Sequence, residues 1–220
     1  MEDIKTLAQY FRSPAFPGSY FLSLEGIEGS GKSTQIIKIK EYLEAKNFRV
    51  LILREPGGTI FGEKLRSAVL ASNKELHPVA ELNLFASSRA QLLYEVTLNE
   101  LGVPGTVIIY DRYIDSTIAY QGVARGLGIT SVLTTHLSFP LSLVPHMTLY
   151  LRINPELSYE RQKMRNAPKD YFEKRGDDFY QKLVEGYDEC AKIFPDRIKT
   201  IEASASKELV FEKIKQNIDK

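Results

Sequence analysis

The residues Gly26-Ile27-Glu28-Gly29-Ser30-Gly31-Lys32-Ser33 match the pattern G-x-x-x-x-G-K-[ST] and run on into Thr34. Residues of these types at this spacing hold phosphate. The glycines let backbone N–H groups turn inward towards phosphate oxygens, and the N-terminus of a following helix adds partial positive charge. Lys32 has the reach for β- and γ-phosphates, and the Ser33 hydroxyl can ligate Mg²⁺. At average residue usage a chain of 220 residues carries this pattern by chance about 1% of the time.

A second acid stands where such a loop needs one. Val107-Ile108-Ile109-Tyr110-Asp111 is an apolar run ending in a carboxylate, which at a strand end could orient Mg²⁺ directly or through water. Arg112 follows at once, and a guanidinium beside an acid is built for bidentate phosphate recognition.

The elements that must position these groups alternate along the chain. Tyr20–Leu24 is a short apolar strand leading into the glycine-rich turn, and Ser33–Lys46 reads as a helix. Val50–Leu53 is a second strand, Phe61–Leu70 a helix, and Pro78 opens a long helix running to about Leu101. Thr106–Tyr110 is a third strand, with helix from Ser116, and Met147–Leu151 a fourth. Pro155–Tyr187 is charged and helical with a break at Asn166-Ala167-Pro168, Ile198–Ile201 is a weak fifth strand, and Lys207–Ile218 closes the chain as an amphipathic helix. Short apolar strands separated by helices predict an α/β fold: a five-stranded parallel sheet covered by helices on both faces. Ligands of such sheets sit at the carboxyl ends of the strands, where all the polar clusters above fall.

Composition narrows the class. Lys and Arg total 29 and Asp and Glu 28, a formal net charge of +1, which argues against a general nucleic-acid binder. Hydrophobic residues are 43% of the chain, enough for a full core, yet no apolar run approaches the ~18 residues of a membrane span. The single cysteine, Cys190, excludes a disulfide framework within the chain and fits a reducing cytoplasm; its neighbours suggest an inert thiol on a helix. The start carries Glu2, Asp3, Lys5 and Arg12 without an apolar core, so it does not read as a secretory leader. Residues 1–18 read as an N-terminal extension that could be deleted without loss, before a single domain at 19–220.

Four segments make the reading specific: Gly26–Thr34 (GIEGSGKST), Arg54–Thr59 (REPGGT), Leu84–Gln91 (LFASSRAQ) and Asp111–Gly122 (DRYIDSTIAYQG). In order and spacing they resemble the bacterial thymidylate kinases, from about Tyr20 to the C-terminus. The resemblance implies a P-loop nucleoside monophosphate kinase core with a mobile helical lid at about 161–175, ATP-dependent phosphorylation of dTMP to dTDP with Mg²⁺, and a homodimer. It assigns the dTMP site to Glu55, Arg66, Phe85, Arg89, Arg112, Ser116, Thr117, Tyr120 and Gln121. Phe85 and Arg89 are four apart on one helical face, so Phe85 could stack on a pyrimidine while Arg89 donates to thymine O4. Tyr120 resembles the tyrosine beneath the deoxyribose, and Glu28 the acid near the sugar 3′-hydroxyl and the metal.

The acceptor oxygen of dTMP is already anionic, so the chemistry needs no general base. Lys32, Mg²⁺, Arg112 and the lid arginines would spread positive charge around the transferred group. Arg165 is the expected γ-phosphate contact, Arg161 packs over the adenine or shares that role, and Lys169 and Arg175 are reserves. The lid departs from the family: many members have Asp-Arg near its end, where this chain has Asp170-Tyr171-Phe172-Glu173. Two rivals from other classes are a deoxynucleoside kinase, with Glu55 as base, and a non-catalytic ATP-binding regulator. A GTPase is excluded, because Asn73-Lys74-Glu75-Leu76 fails the base-reading Asn-Lys-x-Asp pattern. Lys32→Met is expected to lower turnover by on the order of 10²–10³ without unfolding the chain; steady-state rates beside a circular-dichroism melt check it, and near-normal turnover would remove Lys32 from the chemistry.

Overall fold

A computed structural model describes residues 2–72, 74–165, 171 and 176–219. The strands are β1 (Tyr20–Glu25), β2 (Arg49–Arg54), β3 (Thr106–Asp111), β4 (Met147–Arg152) and β5 (Ile198–Glu202). They form one all-parallel sheet in the order β2-β3-β1-β4-β5. Position in the sheet explains their composition. Five of the six residues of β1 and of β3 are buried, because covered faces leave no solvent side, whereas edge strands β2 and β5 are half exposed.

Ten α-helices surround the sheet among the described residues. They are α1 (Glu2–Ala8), α2 (Lys32–Glu44), α3 (Ile60–Leu70), α4 (Pro78–Leu92), α5 (Leu98–Leu101), α6 (Ile114–Thr117), α7 (Ile129–Thr135), α8 (Pro155–Arg165), α9 (Asp177–Ile193) and α10 (Lys207–Ile218). Local chemistry sets their starts. Thr59 Oγ1 accepts from Gly62 N at 2.9 Å to cap α3, Ser206 caps α10, and Pro78 opens α4. The start of α2 is different. Its cap is Gly31, left-handed at φ 95°, with no side-chain cap, so the first N–H groups of the helix stay available to a ligand.

Two helices differ from the rods read in the sequence. A π-helical turn, Leu93–Thr97, joins α4 to α5, and another, Ile118–Ala124, continues α6. Thr97 Oγ1 supports the first by reaching Leu92 O at 3.2 Å and the Tyr110 hydroxyl at 2.5 Å. The second carries Tyr120 and Gln121, both buried. Helix α9 crosses it closely: a Cβ at Gly186 would stand 2.7 Å from Ala119 Cα.

Register places the site. Leu24 of β1 and Arg54 of β2 both pair with Asp111 of β3. The residues that follow each strand, Gly26, Glu55 and Arg112, therefore emerge together at the carboxyl edge. The chain leaves β1 towards β2 and later crosses to β4, so β1 marks the switch point where such sheets open a crevice.

The segment before β1 is not a loose extension. Phe11 is 5% exposed and meets the Phe194 ring at 6.1 Å. Arg12 pairs in parallel with Leu143, its N–H donating to Ser142 O and its carbonyl accepting from Val144 N. His146 accepts from Phe21 N through Nδ1 and donates to Pro14 O through Nε2, at 3.0 and 2.9 Å. A run of mixed polarity hid one deeply buried anchor. Deleting residues 1–18 would uncover that seat, contrary to the expected tolerance. Phe11→Ala should cost about 3 kcal/mol and lower Tm by on the order of 10 °C; a scanning-calorimetry shift below about 2 °C would show that the segment adds nothing.

Candidate active site

Gly26, Gly29 and Gly31 take φ values of 140°, 76° and 95°, which turns the backbone of the phosphate loop inward. At Gly26 the requirement is also spatial: a Cβ there would lie 2.5 Å from Leu151 O. Lys32 is 7% exposed and folds over the loop, donating from Nζ to Gly26 O at 2.8 Å and Ile27 O at 3.2 Å. Burial and the Arg112 charge push its pKa down, while Glu28 and Asp111 oppose this. Ser33 and Thr34 are exposed on the first turn of α2. Ser30 is buried, and its hydroxyl has no hydrogen-bond partner.

Asp111 Oδ1 is buried without a hydrogen-bond partner at the end of β3. An orphaned carboxylate oxygen beside a phosphate loop fits a hard divalent cation shared with phosphate and water. The described residues offer no cluster of three or more His, Cys, Asp or Glu that could hold a metal by themselves.

Arg112 joins two sites. Its φ is 72°, unusual for a side-chain-bearing residue. From there Nη1 donates to Gly26 O, Ser116 Oγ and the Tyr187 hydroxyl at 3.1, 3.3 and 2.9 Å, and Nη2 pairs with Glu28 Oε1 at 2.5 Å. The turn is held by Glu25, which is fully buried at the end of β1. It accepts from Tyr113 N at 2.7 Å, Ser116 N at 3.3 Å and Ser116 Oγ at 2.6 Å. Burial, reinforced by Asp115, raises the Glu25 pKa to about 7. Asp115 itself is buried against Arg197, with Nη2 on Oδ1 at 2.6 Å.

On the far side of Arg112 a pocket opens. All nine acceptor residues expected from the sequence line it, and Glu28 completes the wall towards the loop. Phe85 is half-buried there, and Arg66 is braced by Pro56 O at 3.2 Å. Arg112 lies over the Tyr120 ring, Cζ to centroid 5.3 Å. Arg89 is only 2% exposed. Its Nε donates to Glu55 Oε2 at 2.7 Å, Nη2 to Thr117 Oγ1 at 3.0 Å, and Nη1 to His136 Nε2 at 2.7 Å. Because arginine only donates, His136 Nε2 must accept, so the ring proton sits on Nδ1 and goes to Val132 O at 2.8 Å. Burial and the Arg89 charge press the His136 pKa down to about 3. Burial raises that of Glu55 to about 7 against the pull of Arg89.

A second cavity borders Gly29, Gly31 and Thr34 and is closed by Arg161, Ala203, Ala205 and Val210. Arg161 Nη1 donates to Gly29 O at 3.0 Å and Nη2 to Ala203 O at 3.2 Å, and Ser158 Oγ donates to Glu28 O at 2.6 Å. Helix α8 is thus anchored on the phosphate loop. Arg165 ends that helix; its side chain, Lys169, Arg175 and the Asn166-Ala167-Pro168 break lie outside the described residues.

Glu25 and His136 support the site, and sequence reasoning missed both. A carboxylate closing an apolar strand, as Glu25 closes β1, was the one available hint.

A parallel sheet with a phosphate loop at its switch point, and an arginine-lined pocket beside that loop, is the architecture of a P-loop nucleoside monophosphate kinase. The chain belongs to the thymidylate kinase family, whose model matches residues 24–214. Thymidylate kinase of Thermoanaerobacter sp. (strain X514) is 43% identical over 182 residues, 83% of this chain and 88% of that one. That of Thermosipho africanus is 40% identical over 200 residues, covering 91% and 98%. A crystal structure of thymidylate kinase from Ehrlichia chaffeensis superposes with a TM-score of 0.73 at 27% identity, over 93% of this chain and 100% of that chain.

The His136 environment makes a pH prediction. The folded pKa of about 3 lies below the ordinary 6.5, so the unfolded chain binds the extra proton between them. The stability this neutral ring contributes is present above pH 6.5 and is lost as pH falls towards 3. Glu55 and Glu25 act oppositely, so the comparison must be between variants. His136→Gln keeps an acceptor without a titrating proton. Its stability relative to wild type should rise by up to about 1.4 kcal/mol per pH unit below pH 6. Parallel denaturation curves from pH 7 to 5 would contradict the assignment of a neutral, buried imidazole.

Proposed function

We propose that this protein transfers the γ-phosphoryl group of ATP to dTMP, giving dTDP and ADP for dTTP synthesis. The observation that carries this reading is Arg112, which lines the acceptor pocket while touching Gly26 and Glu28 of the phosphate loop. One guanidinium therefore stands where a monophosphate and the end of a triphosphate would meet. ATP phosphates occupy the loop from Gly26 to Thr34, and the nucleobase enters the cavity beside Arg161 and Ala203. The dTMP phosphate lies against Arg112, with Arg66 behind it and the base between Phe85 and Arg89.

In the reaction, the two polyanions are brought together by charge rather than by proton transfer. Lys32 exchanges the loop carbonyls for phosphate oxygens, and Arg112 neutralises the acceptor phosphate. Arg161, already at the loop, contributes from the donor side, with Arg165 as the lid residue expected at the γ-phosphate. Ser33 and Asp111 would hold Mg²⁺, which supplies electrostatic stabilisation of the transferring group when bound. Glu55 is committed to Arg89, which favours a positioning role over that of a base for a sugar hydroxyl. The described residues contain no helix long and apolar enough to cross a membrane. We place the enzyme in the cytoplasm, without nucleic-acid or membrane partners, as a homodimer of one-domain subunits. Exposed Ile60 (80%) and Phe61 (46%) on α3 offer apolar surface for such an interface.

A coupled ADP-release assay across dTMP, dUMP, dCMP, dGMP, AMP and thymidine tests the reading. The highest kcat/KM is expected for dTMP, with thymidine inert. Faster phosphorylation of thymidine would turn the protein into a deoxynucleoside kinase, and no turnover of any acceptor would leave only nucleotide binding.

A further inference from the structure

Glu81 on α4 is 0% exposed, and no step of the transfer uses it. Donors surround its carboxylate. Arg125 reaches Oε1 from Nη2 at 3.2 Å and Oε2 from Nε at 3.3 Å. The Tyr171 hydroxyl donates to Oε1 at 2.9 Å while accepting from Leu76 N at 2.9 Å. Gln121 Nε2 donates to Oε2 at 3.2 Å. Arg125 is itself fastened by Glu75 and by Leu76 O.

A carboxylate paired with a guanidinium offers only lone pairs. A glutamine amide has two unlike ends, and Glu81 can receive only the NH₂ end. The orientation of Gln121 is therefore imposed, and its Oε1 is the end left for a ligand. Among the described residues no donor reaches Oε1, although Gln121 is 1% exposed and lines the acceptor pocket. Arg89, in the same pocket, has the opposite character, since a guanidinium only donates. The pocket thus presents one fixed donor and one fixed acceptor. A pyrimidine with a carbonyl at C4 and hydrogen on N3 complements that pair, whereas cytosine, with an amino group at C4 and a bare N3, has both polarities reversed.

We propose that Glu81 is a specificity-determining residue: by holding the NH₂ end of Gln121 it makes that amide an acceptor, and with Arg89 it selects bases of the thymine pattern over the cytosine pattern. The proposal rests on the pocket being the dTMP site. Tyr171 ties the same carboxylate to the segment after α8, at the position where this chain departs from the family's arginine.

The test compares dTMP with 5-methyl-dCMP, which keeps the methyl, sugar and phosphate and differs only at C4 and N3. The wild type should favour dTMP in kcat/KM by 10³ or more. In Glu81→Gln the new amide can itself donate, so Gln121 can turn over; the preference should fall at least tenfold while KM for ATP stays within about twofold. A structural role would lower kcat/KM for both substrates alike, and an unchanged ratio in folded Glu81→Gln overturns the proposal. Should that variant not fold, Gln121→Leu removes the acceptor directly; a collapsed ratio supports the proposal, and a preserved one rejects it. A wild type using both nucleotides equally would defeat the polarity argument alone, while one using neither would defeat the acceptor assignment with it.

Discussion

The buried carboxylate of Glu25 ties the site together. It ends β1 and accepts three hydrogen bonds from the turn after β3, two from backbone N–H groups and one from Ser116 Oγ. Burying a charge costs several kcal/mol unless donors surround it, so this arrangement is tolerated only in the one geometry that supplies all three. Between Glu25 and that turn Arg112 takes a φ of 72°, and its guanidinium reaches Gly26 and Glu28 across the strand ends. The same carboxylate thereby fixes the distance between phosphate loop and acceptor pocket. Its pKa, raised to about 7 by burial and then by Asp115, reflects the strain of keeping a charge there.

Charge in this protein is arranged in nested pairs rather than spread over a basic surface. Asp115 with Arg197, Glu55 with Arg89, Glu28 with Arg112 and Glu81 with Arg125 each set one arginine at the carboxyl edge or behind it. Removing one partner of such a pair leaves the other buried and unmatched, which costs more than the pair itself contributes. The arginines facing the ligands are consequently oriented before any ligand arrives, which lowers the entropic cost of binding and of reaching the transition state.

The sheet and the phosphate loop were legible in the sequence because each has a local signature. Five apolar strands fall where they were read, within a residue or two, and the glycine spacing of the loop admits few alternatives. The nine residues that the family pattern assigns to the acceptor site converge on one pocket. What stayed hidden depends on partners far away in the chain. Ser116 is 91 residues from Glu25, Gln121 40 from Glu81, and His136 47 from Arg89. A lone acid or histidine in an apolar segment gives no sign of such a partner. The π turns were equally invisible, since one extra residue per turn barely alters hydrophobic spacing. Helix α7 went unread because Ile129, Thr130 and Val132 favour strands as readily as helices.

The seat of Phe11 has a consequence for how the chain is made. The Phe11 ring meets Phe194, and Arg12 beside it pairs with Leu143 and bonds Val144, so this segment is seated only by residues made much later. Until Leu143 and Phe194 are in place the Phe11 segment has no seat, whereas β1 gains its first parallel partner with β3 at Thr106–Asp111. Closure of that seat joins segments separated by well over half the chain, a slow class of event governed by loop entropy. β1 therefore lacks a parallel neighbour only until β3 is made, and a chaperone able to shelter a short apolar strand would act in that interval.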